Sequence, residues 1–586
     1  MNPLAITTAL ALQVLAVVPE LWAQASDECA DGRIASITIV TEGIFPDSAA
    51  AEGGVTGKLY AVSNWLHVET RESVIRRELL FHEGECVDAL SLSESERLLR
   101  GLGFLESASV GTQRRPDGDV DVRVVTKDDW SLRLEPRFNL GGGFAISGIR
   151  LGETNLDGRG RELQLSYIVR SGPNDIVLTY IDPQFMKTRW DMGVSVIRGG
   201  PGWTVGQVLA YPFLGLVGDW AAFQNALYSE RYFRYVVSST SESSTEQLLP
   251  TLQKAIGVGG ALRSHAPQTG RSTRLASYGM SLTYNDTQYS NQAFGDSVPD
   301  LSGALADSSG VTATIQPREA LQLNLVGGLR ALNYVKRRGV ATLGAVEDIA
   351  LGASLDALVG AAPEWFGMKD SYLIFGLDLY GASRVRGNWF SVVWAGGEAR
   401  QDYRSGKWHD MFAAVHWTNF WIVNTRSTNE IALSYSSGWQ TTVPFQLTLG
   451  GPYKLGGYAL DRFPGGERVN LRVENRYTIT KIGRLVDVGS VVFADMGQMW
   501  SNGALFGKNS EFRVSAGVGL RFAAPGGSRQ TYRLQLGVPL DGGVRFNELV
   551  VSFSIDRLVR LEGRGADPQL ARSRDLAIGS ARRYLK

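Results

Sequence analysis

The chain has 586 residues, too many for one compact soluble domain, so at least two regions are expected. Lys+Arg and Asp+Glu both number 59, and this zero formal balance removes any global charge argument for nucleic-acid binding. No apolar run reaches the roughly 18 residues that a spanning helix needs, so any membrane crossing by the mature protein is made by strands.

Leu4 to Val18 is nearly all apolar, and Ala23-Gln24-Ala25 follows with the small-x-small pattern of signal-peptidase cleavage, which predicts a cut between Ala25 and Ser26. Cys29 and Cys86 are the only cysteines. In an exported chain they make either one disulfide or two unpaired thiols. Ala35 to Thr41 alternates as an opening strand, and the Gly/Ala-rich stretch Gly43 to Gly57 is expected to be a loop. Thr70 can cap a helix through Val74, Ile75, Leu79 and Leu80. Ser91 and Glu94 have capping-box spacing ahead of a second helix that Gly101 and Gly103 end. Strands over Ser107–Thr112 and Asp119–Thr126 flank Pro116-Asp117-Gly118, giving the order β-α-α-β-β.

Residues 70–127 carry Thr70-x-x-Ser73-Val74-Ile75-Arg76-Arg77-Glu78-Leu79, then Glu83-Gly84-Glu85, Ser95-Glu96-Arg97-Leu98-Leu99 and Leu102-Gly103-Phe104. This stretch resembles a POTRA domain, the periplasmic module that precedes barrels of the BamA/TamA superfamily. The resemblance implies client or partner binding by an exposed strand edge, where backbone groups supply affinity with little sequence demand. One such domain is counted.

From Trp130 onward short segments alternate apolar with polar residues. The clearest is Glu467 to Tyr477, with Val469, Leu471, Val473 and Tyr477 on one face and Arg468, Asn470, Arg472, Glu474 and Arg476 on the other. A soluble sandwich turns its apolar face inward. A lipid-embedded barrel inverts that, with a greasy exterior and a charged lumen. Further rows include Leu163-Leu165-Tyr167, Leu373-Phe375-Leu377-Leu379, Phe445-Leu447-Leu449, Val514-Ala516-Val518-Leu520 and Leu549-Val551-Phe553-Ile555. The polar stretches Ser238–Ser272 and Asn285–Gly310 are expected to be long surface loops. After Asp556 the alternation stops and the tail is basic. An even-stranded barrel would leave it on the same side as the N-terminal domain, either solvated or touching anionic lipid or a partner.

Gly450-Gly451-Pro452-Tyr453-Lys454-Leu455-Gly456-Gly457-Tyr458 through Arg462 resembles the sixth surface loop of the BamA/TamA superfamily, and Phe493-Ala494-Asp495-Met496-Gly497 its F-x-D-x-G wall strand. Gly517-Val518-Gly519-Leu520-Arg521 continues the order. The resemblance implies a loop that folds back into the lumen and locks on the inner wall through an arginine. Here glycine stands where that arginine is expected, so either the lock is lost or Arg462 replaces it, with Asp495 as the acceptor. Also implied are 16 strands and a seam between first and last strand that opens laterally. The expected fold is therefore mainly β: a 16-stranded antiparallel transmembrane β-barrel over 129–556. A signal peptide over 1–25 and an α+β POTRA domain over 26–128 precede it, and a basic tail over 557–586 follows.

Enzyme signatures are missing. His67, His82, His265, His409 and His416 lack metal-ligand spacing, and the Gly-x-Gly occurrences lack a strand–loop–helix setting, so no metal and no cofactor is expected. The resemblance implies an outer-membrane assembly or insertion factor acting on unfolded outer-membrane or secreted clients, with periplasmic accessory proteins as further partners. A two-partner-type secretion translocator and a passive porin-like channel are the alternatives.

Overall fold

The computed structural model describes residues 29–51, 54–139, 145–170, 173–239, 244–266, 272–289, 314–543, 548–557 and 567–578. The expected cleavage site at Ala25 and Ser26 lies outside them, as does most of the stretch after Asn285.

The N-terminal domain holds a three-stranded sheet of β1 (Ile34–Glu42), β2 (Leu105–Arg114) and β3 (Val120–Asp128) in the order β1-β3-β2. β1 runs parallel to β3 and β2 antiparallel, which leaves β2 at an outer edge. Helices α1 (Asp47–Ala51), α2 (Gly54–Leu66), α3 (Glu72–Glu78) and α4 (Ala89–Gly101) lie between β1 and β2. Val74, Ile75, Leu79 and Leu99 pack on Ile37, Ala108, Val122 and Val124 to form its core. Cys29 and Cys86 are disulfide-bonded, with Cα atoms 5.2 Å apart.

Local details differ from the sequence expectation. Gly43–Gly57 is not one loop, because α1 and the start of α2 occupy it. Thr70 does not cap α3: its hydroxyl and amide both donate to Asp128, at 2.7 and 2.8 Å, and tie the helix entry to the end of β3. α4 is capped by Asp88, which accepts the N–H groups of Leu90 and Ser91. Glu94 turns instead to Arg97 at 2.6 Å and to the N–H of Leu216 at 2.7 Å.

Every later strand except one short hairpin joins a single antiparallel sheet that curls into a barrel. Its members are β4 (Leu132–Asn139), β5 (Ala145–Leu156), β6 (Arg161–Ile168), β7 (Asp175–Phe185), β8 (Trp190–Gly199), β9 (Gly202–Tyr211), β10 (Trp220–Ser239), β11 (Ser244–His265), β12 (Thr273–Tyr289) and β13 (Arg318–Arg338). Then come β14 (Val346–Ala362), β15 (Tyr372–Arg386), β16 (Trp389–Asp402), β17 (Trp408–Ile422) and β18 (Ser427–Trp439). The hairpin of β19 (Leu447–Leu449) and β20 (Phe463–Gly465) intervenes before β21 (Glu467–Ile482), β22 (Val486–Trp500), β23 (Arg513–Ala523), β24 (Gln530–Pro539) and β25 (Val550–Arg557). The sheet thus has 20 strands among the described residues, not the expected 16.

The figure of 16 is what the resemblance implies, and alternation alone does not supply the count, because some strands lack it. β16 turns Phe390, Val392 and Trp394 inward and Trp389 and Val393 outward, so both faces are apolar and the alternation disappears. β17 does the same with Phe412, Ala414 and Phe420 against Val415, Trp417 and Trp421. The Ser/Thr-rich stretch read as a loop is mostly β11, paired along its length with β10 and β12. Its Gly259 faces Phe223 closely enough that a Cβ would lie 2.7 Å from that ring. Elsewhere the inversion is plain. Leu163, Leu165, Leu377, Leu379, Leu433, Val473, Val518 and Leu520 are exposed outward, while Glu135, Arg318, Glu398, Arg400, Asp410, Arg468, Glu474 and Arg533 are buried inward. Among the described residues no helix is long and apolar enough to cross a membrane.

The N-terminal domain is fastened to one end of the barrel. Arg100 pairs with Asp348 at 2.6 Å, Arg97 lies 4.2 Å over the Tyr334 ring, and Asn155 donates to Thr70 at 2.9 Å.

Candidate functional site

The connection from β18 to β21 does not extend away from the barrel. It folds back inside as the β19–β20 hairpin, so Phe445, Leu447 and Leu449 are buried in the lumen and do not form an outer-wall row. At its tip Gly450 and Gly451 have φ of 125° and 93°, a region open chiefly to glycine. A Cβ on Gly450 would lie 2.3 Å from the Ala459 carbonyl. The Gly451 N–H donates to Tyr458 O and the Tyr458 N–H to Leu455 O, both at 3.1 Å, which fixes the compact turn.

The tip presses on the wall formed by β22, β23 and β24. A Cβ on Gly457 would meet the Val538 carbonyl carbon and oxygen at 2.5 Å, and one on Gly456 the Phe493 ring at 2.6 Å. The wall is thinned in return, since a Cβ on Gly537 would lie 2.4 Å from Gly456 O. Gly497 makes room for Leu449, whose Cδ2 a Cβ there would approach to 3.2 Å.

Asp495 is the acceptor at the centre. Its Oδ2 takes the Gly456 N–H at 2.8 Å, and its Oδ1 lies 3.5 Å from Arg472 Nε. Among the described residues no ion pair joins Arg462 to Asp495, so the expected replacement does not occur. The geometry shows why none is needed. With glycine at 456 the backbone comes close enough for its own N–H to reach the carboxylate, and the arginines sit on the wall instead. Arg472 donates to the Pro452 carbonyl of the loop and lies 4.4 Å over the Phe493 ring. Gln535 donates to the same carbonyl at 3.1 Å. Glu474 holds these groups in place, accepting from Arg472 at 3.0 Å and from Arg476 and Arg533 at 2.5 Å. Such buried charge-assisted bonds are the stronger class, provided each partner is met. Tyr458 donates its hydroxyl to Asp541, itself 3.2 Å from Arg513. Arg521, expected at the lumen wall, donates to Ala341 O in the β13–β14 turn.

The basic tail is likewise not simply solvated on the N-domain side. Helix α5 (Pro568–Ile578) lies inside the lumen against the hairpin. Asp567 pairs with Arg468 of the wall. Gln569 Oε1 accepts from Thr448 N at 2.9 Å and from Lys454 Nζ at 3.0 Å. Ser573 donates to Pro444 O at 2.7 Å, and Arg574 pairs with Glu398. Leu570 and Leu576 join the apolar cluster of Phe390, Phe412, Phe445, Leu447 and Leu455. This filling explains the apolar inner faces of β16 and β17. Sequence reading missed α5 and the roles of Arg472, Glu474 and Arg533. The available signal was the density of Arg and Glu on the inner face of β21.

Among the described residues the first and last barrel strands meet through one residue pair, Asn139 with Ser552. The flanking ladders run from Leu132–Glu153 to Asn139–Ala145, with one bulge at Arg137 and Phe138, and without a break from Gln530–Arg557 to Gly537–Val550. At the N-domain end Arg133 of β4 also reaches Gln530 of β24. An interrupted ladder exposes backbone groups that a lipid surrounding cannot satisfy.

Residues 383–545, which run from β15 through the reentrant loop to the end of β24, match the Omp85 superfamily domain. This stretch is an Omp85 superfamily domain. The chain is similar to solved structures of CdiB from Escherichia coli, at 10% identity over 95% of this chain and 99% of that one with a TM-score of 0.41. It is also similar to BamA from Haemophilus ducreyi lacking POTRA domains 1–3, at 15% identity over 89% and 84% with a TM-score of 0.31. No curated protein matches the chain.

Proposed function

We propose that the protein assembles or inserts other outer-membrane proteins. In this reading the N-terminal POTRA domain faces the periplasm after removal of a signal peptide, holds an extended client segment on its β2 edge, and delivers it to a barrel seam that opens between β4 and β25. The observation that supports the reading is that, among the described residues, only Asn139 and Ser552 pair across the seam, while each of the two strands pairs along most of its length with its other neighbour. Separating them costs few hydrogen bonds, and the strand edges so freed offer partners to a client strand where unmet backbone groups are expensive. Unfolded outer-membrane proteins are the clients and the outer-membrane bilayer is the setting.

The test is a disulfide lock. A variant with Asn139→Cys and Ser552→Cys should lose assembly of client barrels when oxidised and regain it with reductant. Equal assembly by the oxidised, cross-linked protein would refute seam opening. The second reading, a two-partner-type translocator for one exported protein, draws on α5, whose many polar contacts water can replace once the helix leaves the lumen. Depletion separates the two: loss of several unrelated barrels supports assembly, and retention of one exported protein supports translocation. A porin-like channel fits poorly with a lumen occupied by a hairpin and a helix.

A further inference from the structure

Helix α2 is built inside out for a soluble domain. Its inward side is made of Gly57, Tyr60 and Asn64, the last exchanging hydrogen bonds with the Phe45 backbone at 2.9 and 3.2 Å. Its outward side carries Val55, Leu59, Val62 and Leu66, spaced by four, three and four residues and so aligned in one stripe, with Trp65 beside them. Val55 is 78% exposed, Val62 53%, Trp65 81% and Leu66 56%. The helix contains no acidic residue, and Lys58 flanks the stripe. A continuous apolar face left in water is unusual for a monomeric domain and marks an interaction surface.

The position of α2 identifies what covers that face. The Tyr60 hydroxyl accepts the Arg484 N–H at 3.1 Å in the β21–β22 turn, and Tyr60 packs with Ile44, Phe45, Trp130 and Leu485. The helix is thereby pinned to the rim of the barrel where β21 ends. There the outward apolar row of β21 continues through Val473, Tyr477 and Ile479 to Ile482, all of them exposed. The two apolar surfaces are neighbours at the same edge of the sheet.

We propose that α2 is an interfacial membrane anchor: it lies along the leaflet on the N-domain side, its Val55–Leu66 stripe in the acyl boundary and Trp65 among the headgroups. This goes beyond the assembly reading and rests only on the barrel's seat in a bilayer. Apolar area with a flanking cation suits an interfacial helix, tryptophan suits the headgroup level, and the Lys58 stem can reach back to anionic lipid. The anchor fixes the N-terminal domain against the membrane, so that β2 keeps a set orientation to the barrel.

The experiment uses the full-length protein in phosphatidylethanolamine–phosphatidylglycerol vesicles with an environment-sensitive fluorophore on single introduced cysteines. The sites are Leu59→Cys and Val62→Cys on the stripe, Val473→Cys on the outer barrel wall, and Gln113→Cys on β2 as a water-exposed reference. With nitroxide-labelled lipid added, the Leu59 and Val62 positions should be blue-shifted and lose most of their emission, as Val473 does, while Gln113 keeps it. Quenching at Val473 with bright, water-like emission at Val62 overturns the anchor and leaves the barrel reading intact. Blue-shifted but unquenched emission at Val62 means that protein covers the stripe, which also overturns it. No quenching at Val473 removes the bilayer premise and the anchor together.

Discussion

The docking of the reentrant loop rests on Gly457 more than on any charged side chain of the loop. A Cβ there would sit 2.5 Å from the Val538 carbonyl carbon and oxygen and 2.7 Å from Ser515 Cβ, so the obstacle is wall backbone and not a side chain that can swing away. Gly457→Ala must therefore lift the tip or shift β24. Overpacking of this kind costs about 1–3 kcal/mol, which moves a docked–undocked equilibrium by roughly 5- to 150-fold. Asp495→Ala removes the acceptor of the Gly456 N–H and should cost about 1.5–3 kcal/mol, the range for hydrogen bonds to charged groups. Arg462→Ala should change nothing at the tip. The assay is trypsin cleavage after Lys454 in detergent-folded protein, with heat-modifiable gel mobility confirming that the barrel is intact. The expected order of cleavage rates is Gly457→Ala and Asp495→Ala well above wild type, and Arg462→Ala equal to it. Fast cleavage in Arg462→Ala, or wild-type rates in Gly457→Ala, would refute the account of a backbone-locked loop.

Asp567→Ala strands the buried Arg468 guanidinium, a loss on the order of 3–5 kcal/mol, so α5 should leave the wall and single-channel conductance in planar bilayers should rise; a conductance equal to wild type would mean that the helix does not occlude the lumen. Burial alone would raise the Asp567 carboxyl, but Arg468 and Lys454 outweigh it and hold it well below its ordinary value of 3.8. A depressed carboxyl contributes its full stabilisation above that ordinary value and loses it as pH falls further, so α5 should stay docked at about pH 5 and loosen only in stronger acid, read as conductance against pH. The disulfide closes a separation of 57 residues, and its reduction should cost about 4 kcal/mol, lowering the thermal midpoint of the N-terminal domain while the barrel transition stays in place in calorimetry.

Much of the architecture was legible because a strand reports its two faces separately. The Arg468–Arg476 series against Val469–Tyr477 shows an apolar outside and a charged inside without reference to any partner, since side-chain direction follows from backbone pleat alone. The glycines of 450–457 and the carboxylate of Asp495 were identifiable by type and order. Their bonding was not: whether Asp495 meets Arg462 or the Gly456 amide depends on how near the loop comes to the wall, and that is fixed by Gly537 and Val538, some 80 residues away in sequence. The strand number was hidden for a related reason. β16 and β17 lose their alternation because α5 and the β19–β20 hairpin line the lumen with apolar groups, and only the folded arrangement brings those segments together. Local patterning thus determined which residues are greasy or wet on each strand, while the filling of the lumen, the weak ladder between β4 and β25, and the outward stripe on α2 are relations between distant segments that exist only once the chain has folded.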